Sequence, residues 1–202
     1  SVGGILSGIQ GNMRLGRSEN FIMEACEYAN SFLSFTPTTA IVLNVEAEHL
    51  DFFGTLENER LSFTKFIDLL PENGLLVINN EIADLNALIQ NKNIRVVQYG
   101  LRSVDGKAPD YTAANITYNE LGYAHYELIV RGENRGLIEL SVTGEHNVFN
   151  SLAVIAASLE PSTIYKDGIA LDRVKEGLKN YTGTERRFQY KGERDGYTIV
   201  DD

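Results

Sequence analysis

A histidine stands among carboxylates in NVEAEHLDFFG, residues 44–54, directly after the apolar run TAIVL. The chain contains only three histidines, and His49 is flanked by Glu46, Glu48 and Asp51. A neutral imidazole can bind a divalent cation through one ring nitrogen, and carboxylates favour hard ions such as Mg²⁺. The stretch is therefore interpreted either as a magnesium site or as a solvated acidic loop. It lacks the multiple-histidine pattern that is typical of zinc hydrolases.

A second candidate carboxylate, Glu24, follows the apolar run FIM and precedes Glu27 by three residues. The segment NFIMEAC, residues 20–26, is short and apolar and is predicted to be a strand. Ligands bind beyond the carboxyl ends of the strands in parallel sheets, and two strand ends of one sheet can be adjacent, so Glu24 and His49 could converge there, where a carboxylate can contact a metal ion or its water shell. The alternative is that Glu24 is an ordinary acidic residue at the end of a strand.

Four further residues are candidates for holding a nucleotide. Asn147 and Asn150 are three apart at a predicted helix start, so they share one face. Their amides can pair with the edge of adenine, although asparagine is also a favoured capping residue. Arg187, in GTERRFQ, offers a guanidinium fork that suits phosphate, or belongs to a surface pair of arginines. Asp202 follows a strand-like run and could accept hydrogen bonds from ribose, or be simply a polar terminus.

Glycine-rich phosphate-binding motifs are absent from the sequence. Residues 3–12, GGILSGIQGN, lack the G-x-x-x-x-G-K-[ST] pattern, and no G-x-G-x-x-G follows a strand. The formal net charge of −10 makes nonspecific binding to nucleic acid or acidic membrane unfavourable. A polyanionic substrate would need a metal ion or local cations, for which the candidates are Arg14, Arg17, Arg186 and Arg187.

The single cysteine, Cys26, excludes an intrachain disulfide and fits a reducing compartment. No apolar run approaches the roughly 18–20 residues of a membrane span, and the N-terminus has no signal-peptide pattern. These features predict a cytoplasmic protein. Because the chain begins without methionine and stops directly after YTIVDD, we expect it to be a domain of a longer protein.

Hydrophobic periodicity predicts an α/β protein with a mostly parallel sheet flanked by helices. In the first half, strands are predicted over residues 39–45, 74–80 and 94–101, and helices over 56–70 and 81–91. Residues 110–142 then predict a small antiparallel β-sheet, built as a meander. Helices over 144–159 and 171–181 and a closing pair of strands in RRFQYKG and GYTIVDD complete the predicted order.

Five phrases, taken in order, resemble the Mur ligase family: GNMRLGRSENFIMEACEYANSFL, AIVLNVEAEHLDFFG, GEHNVFNSLAVIAA, GTERRFQ and YTIVDD. They span nearly the whole chain and are most similar to the branch of the family that joins L-alanine to UDP-N-acetylmuramate. The resemblance implies an ATP-dependent, amide-forming ligase with three domains. It assigns residues 1–200 to the central ATP-binding domain and residues 201–202 to the start of the C-terminal domain.

The resemblance also implies roles for the acidic and basic candidates. Glu24 and His49 are the catalytic residues that hold Mg²⁺, and Arg14 and Arg17 approach the UDP-muramoyl substrate. The phosphate-binding loop of the family is expected before Ser1. Without that loop, this chain alone is expected to be inactive.

For the nucleotide, the resemblance implies contacts with three parts of ATP. His146, Asn147 and Asn150 face adenine, Arg187 contacts a phosphate, and Asp202 contacts the ribose. The alternatives left open by the sequence are another Mur or folylpolyglutamate-type ligase, a non-catalytic nucleotide-binding module, and a metal-dependent hydrolase centred on His49.

Overall fold

A computed structural model of the chain describes residues 2–5, 11–17, 20–89, 93–161, 168–184 and 189–201. In this part of the chain a six-stranded sheet runs in sequence order from β1 to β6, and a separate two-stranded sheet joins β7 to β8. The strands are β1 (Thr39–Val42), β2 (Leu75–Asn79), β3 (Arg95–Tyr99), β4 (Tyr111–Tyr118), β5 (Tyr123–Val130), β6 (Glu133–Thr143), β7 (Gln189–Arg194) and β8 (Tyr197–Asp201). The helices are α1 (Leu50–Phe53), α2 (Leu56–Asp68), α3 (Leu85–Leu88), α4 (Glu145–Leu159) and α5 (Leu171–Asn180), and a 3₁₀ segment covers Tyr28–Ser34.

The parallel half of the sheet is covered on both faces. β1, β2 and β3 pair in parallel, and successive side chains of a strand point to opposite faces. In β2, Leu75 and Val77 belong to the apolar cluster that contains residues of α4. Leu76 and Ile78 belong to the cluster that contains residues of α2. This explains why β2 is apolar without alternation, and it confirms the predicted α/β class.

The predicted meander is present, and it extends the parallel sheet. β4 joins β3 in parallel through a single residue pair, Tyr99 with Tyr111. β4, β5 and β6 then pair antiparallel, with irregularities in register near Ala114 and His125. The small antiparallel part is therefore one edge of a continuous sheet, and a second antiparallel pair is formed by β7 and β8.

The strand predicted over residues 20–26 is wrong, because residues 20–27 form no strand in the structure. Phe21 and Ile22 are 75% and 79% exposed. An apolar run becomes a strand only where a neighbouring strand takes up its backbone hydrogen bonds. The sequence pattern carries no information about whether such a neighbour is present.

The helix predicted over residues 81–91 is also largely wrong, because among the described residues 81–89 only α3, Leu85–Leu88, is helical. Asp84 has a left-handed backbone with φ 48°, which breaks a right-handed helix. The Glu81 amide donates to the side chain of Asn79, and the Glu81 carboxylate accepts from two later amides. The residues at the start of the predicted helix thus make loop contacts instead.

No helix in the described part of the chain is both long and apolar enough to cross a bilayer.

Three tyrosines of the core should limit stability at alkaline pH. Burial raises the pKa of Tyr99, Tyr111 and Tyr126 well above the usual range, whereas an unfolded tyrosine ionises near pH 10. Above about pH 10 the folded chain therefore binds more protons than the unfolded chain. The free energy of unfolding is therefore unaffected by these tyrosines below about pH 10. Above that pH it falls by about 1.4 kcal/mol per pH unit for each buried tyrosine.

We expect Tyr99→Phe to raise the pH at which the full-length protein that contains this chain (the full-length parent) unfolds, because phenylalanine has no hydroxyl to ionise. Little stability should be lost by the substitution itself, since the Tyr99 hydroxyl has only a long contact of 3.5 Å with the Val42 carbonyl. Circular dichroism during alkaline titration would measure the midpoint. Tyr197→Phe is the matched control, since Tyr197 is 77% exposed and its loss should leave the midpoint unchanged. An equal midpoint in wild type and Tyr99→Phe would contradict the prediction.

Candidate metal and nucleotide site

Three side chains come together beyond the carboxyl end of β1. Glu27, Glu48 and His49 each offer one ligand atom, and these atoms lie within 4.8 Å of one another. His49 Nε2 and Glu27 Oε1 are 3.1 Å apart, and the two side chains are 38% and 27% exposed. The cluster is therefore open to solvent and within reach of a ligand.

Left-handed turns bring the two parts of this cluster together. Ala29 and Asn30, two and three residues after Glu27, have φ of 53° and 59°, and His49 has φ of 50°. The Ser62 hydroxyl donates to Asn30 Oδ1 and ties the first turn to α2. Such backbone conformations persist only where the surrounding contacts impose them.

Aromatic packing fixes the same arrangement. The Phe32 and Phe66 rings are stacked with centroids 4.7 Å apart, which holds the 3₁₀ segment against α2. The Tyr28 ring lies 4.9 Å from the His49 imidazole at a tilt of 55°. The 3₁₀ segment that follows Glu27 is therefore held in place by Phe32 on α2 and by Tyr28 on the His49 imidazole, and this places Glu27 beside His49.

A cavity of about 160 Å³ adjoins this cluster. Its polar lining includes Asn44 and the carboxylates of Glu27, Glu46, Glu48 and Glu59. Carboxylate oxygens with one imidazole form a donor set that fits a hard divalent cation such as Mg²⁺, which keeps several waters in protein sites. The concentration of negative charge also favours a cation at this position.

Sequence reasoning gave no site role to two carboxylates of this lining, Glu27 and Glu59, and the more deeply buried of them is Glu59. It is 2% exposed, and its Oε2 accepts a hydrogen bond from the Glu48 amide at 3.1 Å. Burial raises the pKa of Glu59 above its ordinary value, while this hydrogen bond lowers it. The available signal was its spacing, because Glu59 precedes Phe63 and Phe66 by four and seven residues on the apolar face of α2.

Glu24 lies outside this cluster. Its carboxylate accepts from the Gly3 amide, and the carboxylate that reaches His49 is that of Glu27. The metal role of Glu24 therefore stays a prediction from family resemblance. Arg14 and Arg17 are exposed, and their approach to a substrate stays a prediction as well.

The predicted adenine residues share one face at the start of α4. Asn150 Nδ2 donates to Asn147 Oδ1 at 3.3 Å, and Asn147 Nδ2 donates to the Thr143 carbonyl at 2.8 Å. The His146 ring packs over Gly144, where an added Cβ would lie 2.5 Å from the imidazole Cε1 and φ is 93°. Only glycine allows this approach. Contact with adenine stays a prediction, and Arg186, Arg187 and Asp202 lie outside the described residues.

Comparison with known proteins places this geometry in a family. Residues 8–158 match the model of the Mur ligase middle domain. The whole chain is 45% identical to UDP-N-acetylmuramate–L-alanine ligase of Lachnospira eligens, covering 42% of that protein. It is 46% identical to the enzyme of the same name from Lachnoclostridium phytofermentans, covering 43% of it.

A solved structure agrees with this match. The chain superposes with a TM-score of 0.77 on UDP-N-acetylmuramate-alanine ligase MurC from Thermotoga maritima, at 27% identity, covering 99% of this chain and 42% of that one. The chain thus spans less than half the length of the curated relatives that it matches. It belongs to the Mur ligase family, and its residues 8–158 correspond to the middle domain.

Proposed function

We propose that this chain is the ATP-binding central part of a ligase that joins L-alanine to UDP-N-acetylmuramate in peptidoglycan synthesis. The observation that carries the proposal is similarity over all 202 residues to ligases named for this reaction. In this proposal residues 1–200 form the central domain and residues 201–202 begin the next one. The single cysteine and the nucleotide substrates suit a cytoplasmic enzyme.

The proposed reaction has two steps. A carboxylate oxygen of UDP-N-acetylmuramate attacks the γ-phosphorus of ATP, which forms an acyl phosphate and releases ADP. The amine of L-alanine then attacks the acyl carbon, loses a proton to solvent, and expels inorganic phosphate as the amide forms. Both steps bring anionic groups together, so their charge must be neutralised.

The cluster of Glu27, Glu48 and His49 beside the acidic cavity supplies the proposed ion site. His49 with Glu27 and Glu48 would hold Mg²⁺, and Glu24 is the further ligand that the family resemblance implies. When bound, Mg²⁺ would neutralise the charge of the phosphoryl group during transfer. The 3.1 Å contact between Glu27 Oε1 and His49 Nε2 would keep these two side chains together at the site.

The start of α4 is the proposed adenine site. The joined amides of Asn147 and Asn150, with His146 beside them, can supply donors and acceptors to an adenine edge. Arg187 would contact phosphate and Asp202 the ribose. Exposed Arg14 and Arg17 would approach the anionic UDP-muramoyl substrate.

Measuring ADP release by the full-length parent tests this function. We expect release to require UDP-N-acetylmuramate, Mg²⁺ and an amino acid together, with the highest kcat/KM for L-alanine when it is compared with glycine and L-serine. A preference for another amino acid would favour a different ligase. ATP binding without turnover would favour a non-catalytic module, and hydrolysis with Mg²⁺ or Mn²⁺ alone would favour a metal-dependent hydrolase.

A further inference from the structure

Glu59 is a carboxylate on the face of α2 that is otherwise directed at the apolar core. Its buried companions on this helix are Ser62, Phe66 and Ile67, and Glu59 itself is only 2% exposed. In the described part of the chain no lysine or arginine pairs with it. Burial of an acidic side chain without a cation is costly, so the contacts that Glu59 makes are informative.

Glu59 accepts a hydrogen bond from the Glu48 amide, directly before the left-handed turn at His49. Glu59 Oε2 accepts from the Glu48 amide at 3.1 Å, and the same amide also donates to the Glu46 carbonyl at 2.8 Å. The next residue, His49, has the left-handed backbone of φ 50° and ψ 39°. The His49 carbonyl then accepts from two amides of α1. The backbone is thus held on both sides of the left-handed residue.

We propose that Glu59 is a positioning residue for His49. Its carboxylate holds the Glu48 amide and so fixes the backbone turn that places the His49 imidazole beside Glu27. Glu59 is proposed to hold the backbone turn at Glu48 and His49. The effect of this turn on ion binding rests on the proposed function. Glu59 acts through its hydrogen-bond acceptor and not through its charge.

Two substitutions separate the acceptor from the charge. Glu59→Gln removes the charge and keeps a carbonyl oxygen that can accept from the Glu48 amide. Glu59→Met has similar length and removes both charge and acceptor, and a thioether is easily accommodated in a core. Glu57→Gln and Glu57→Met are the matched controls, because Glu57 is an exposed acidic residue of the same helix.

The test uses the full-length parent with two readouts. Hydrogen exchange measured by mass spectrometry on overlapping peptides that span residues 46–49 reports the amides of this turn, including that of Glu48. Titration with Mn²⁺ alone reports ion binding without turnover. We expect Glu59→Gln to match wild type in exchange and to bind Mn²⁺ within about twofold. We expect Glu59→Met to lose part of the protection at Glu48, whose amide still has the Glu46 carbonyl as an acceptor. We also expect it to bind Mn²⁺ about tenfold more weakly, the loss that is typical when a supporting contact of a metal ligand is removed.

Several results would overturn the proposal. Equal loss of Mn²⁺ binding in Glu59→Gln and Glu59→Met would mean that Glu59 acts by its charge, as a ligand would. Unchanged exchange at Glu48 in Glu59→Met would mean that the hydrogen bond does not hold the loop. A lower melting temperature in Glu59→Met with unchanged exchange and Mn²⁺ affinity would assign Glu59 to the fold alone.

Failure of the proposed function is recognised separately. If the wild-type parent ligates nothing, or binds no Mn²⁺, the ligase assignment or the ion site is at fault. The exchange readout still decides the role of Glu59 in that case. Loss of Glu48 protection in Glu59→Met but not in Glu59→Gln would support the positioning role of Glu59 independently of activity.

Discussion

His49→Ala is expected to lower ATP-dependent ligation by the full-length parent on the order of 100-fold, with little change in melting temperature. The imidazole is the nitrogen donor of the acidic cluster, and loss of groups that hold or orient a metal ion commonly costs about 10–100-fold in activity. The side chain is 38% exposed, so its removal leaves little unfilled space in the core. The coupled ADP-release assay at limiting and saturating Mg²⁺ measures the effect.

The left-handed backbone at His49 requires a second variant. Alanine is strained at a φ of 50°, whereas asparagine tolerates this conformation. His49→Asn should therefore lose ligation as His49→Ala does while keeping the turn. His125→Ala, on β5, is the control and should retain full activity. Unchanged turnover of both His49 variants at limiting Mg²⁺ would refute the metal role.

Glu160→Ala is expected to destabilise the sheet and α4 by about 2–3 kcal/mol. The Glu160 carboxylate directly follows α4 and accepts from Arg95 Nη2 at 2.9 Å, Arg131 Nη2 at 2.6 Å and the Tyr111 hydroxyl at 2.8 Å. Breaking a fully buried ion pair costs roughly 3–5 kcal/mol. The expected loss is smaller because the arginine side chains are 41% and 54% exposed and can be hydrated. The Tyr111 hydroxyl, in contrast, is left buried without its partner.

Hydrogen exchange of the full-length parent would measure this loss within the domain. Protection of amides in β3, β4 and α4 should fall together, because Glu160 joins α4 to these strands. Glu160→Gln should lose less, since it keeps an acceptor for the Tyr111 hydroxyl. Glu139→Ala, which breaks the exposed pair with Lys179, is the control and should change little. Protection in α4 that is equal in Glu160→Ala and wild type would contradict the prediction.

The fold class and most of the elements were predictable from local patterns. The uninterrupted apolar run of β2 predicts a strand covered on both faces, and the structure confirms it. The spacing of α2 and α4 predicts helices close to their observed bounds. The shared face of Asn147 and Asn150 also follows from helical periodicity. Each of these features depends on residues that are near one another in sequence.

The motifs that resemble the Mur ligase family identified the loop that carries His49. They did not identify all the residues that contact this loop. In the sequence, Glu27 was noted only as an acidic residue close to Glu24. Glu59 was only one of several charged residues in a predicted amphipathic helix. In the structure, Glu27 contacts His49 across 22 positions of the chain, and Glu59 contacts Glu48 across 11. In neither pair do the two residues belong to the same helix or strand, so the periodicity within one helix or strand does not relate them.

The sequence by itself therefore determined most of the alternation of strands and helices, the α/β class and the family, because hydrophobic periodicity and motif order are local properties of the chain. Only the tertiary structure decided which carboxylate meets His49 and which one is buried beneath its loop. Those contacts depend on left-handed turns at Ala29, Asn30 and His49, and a few such backbone angles redirect whole segments. The same reason explains why residues 20–26 are not a strand, since strand formation depends on a partner that the local pattern does not specify.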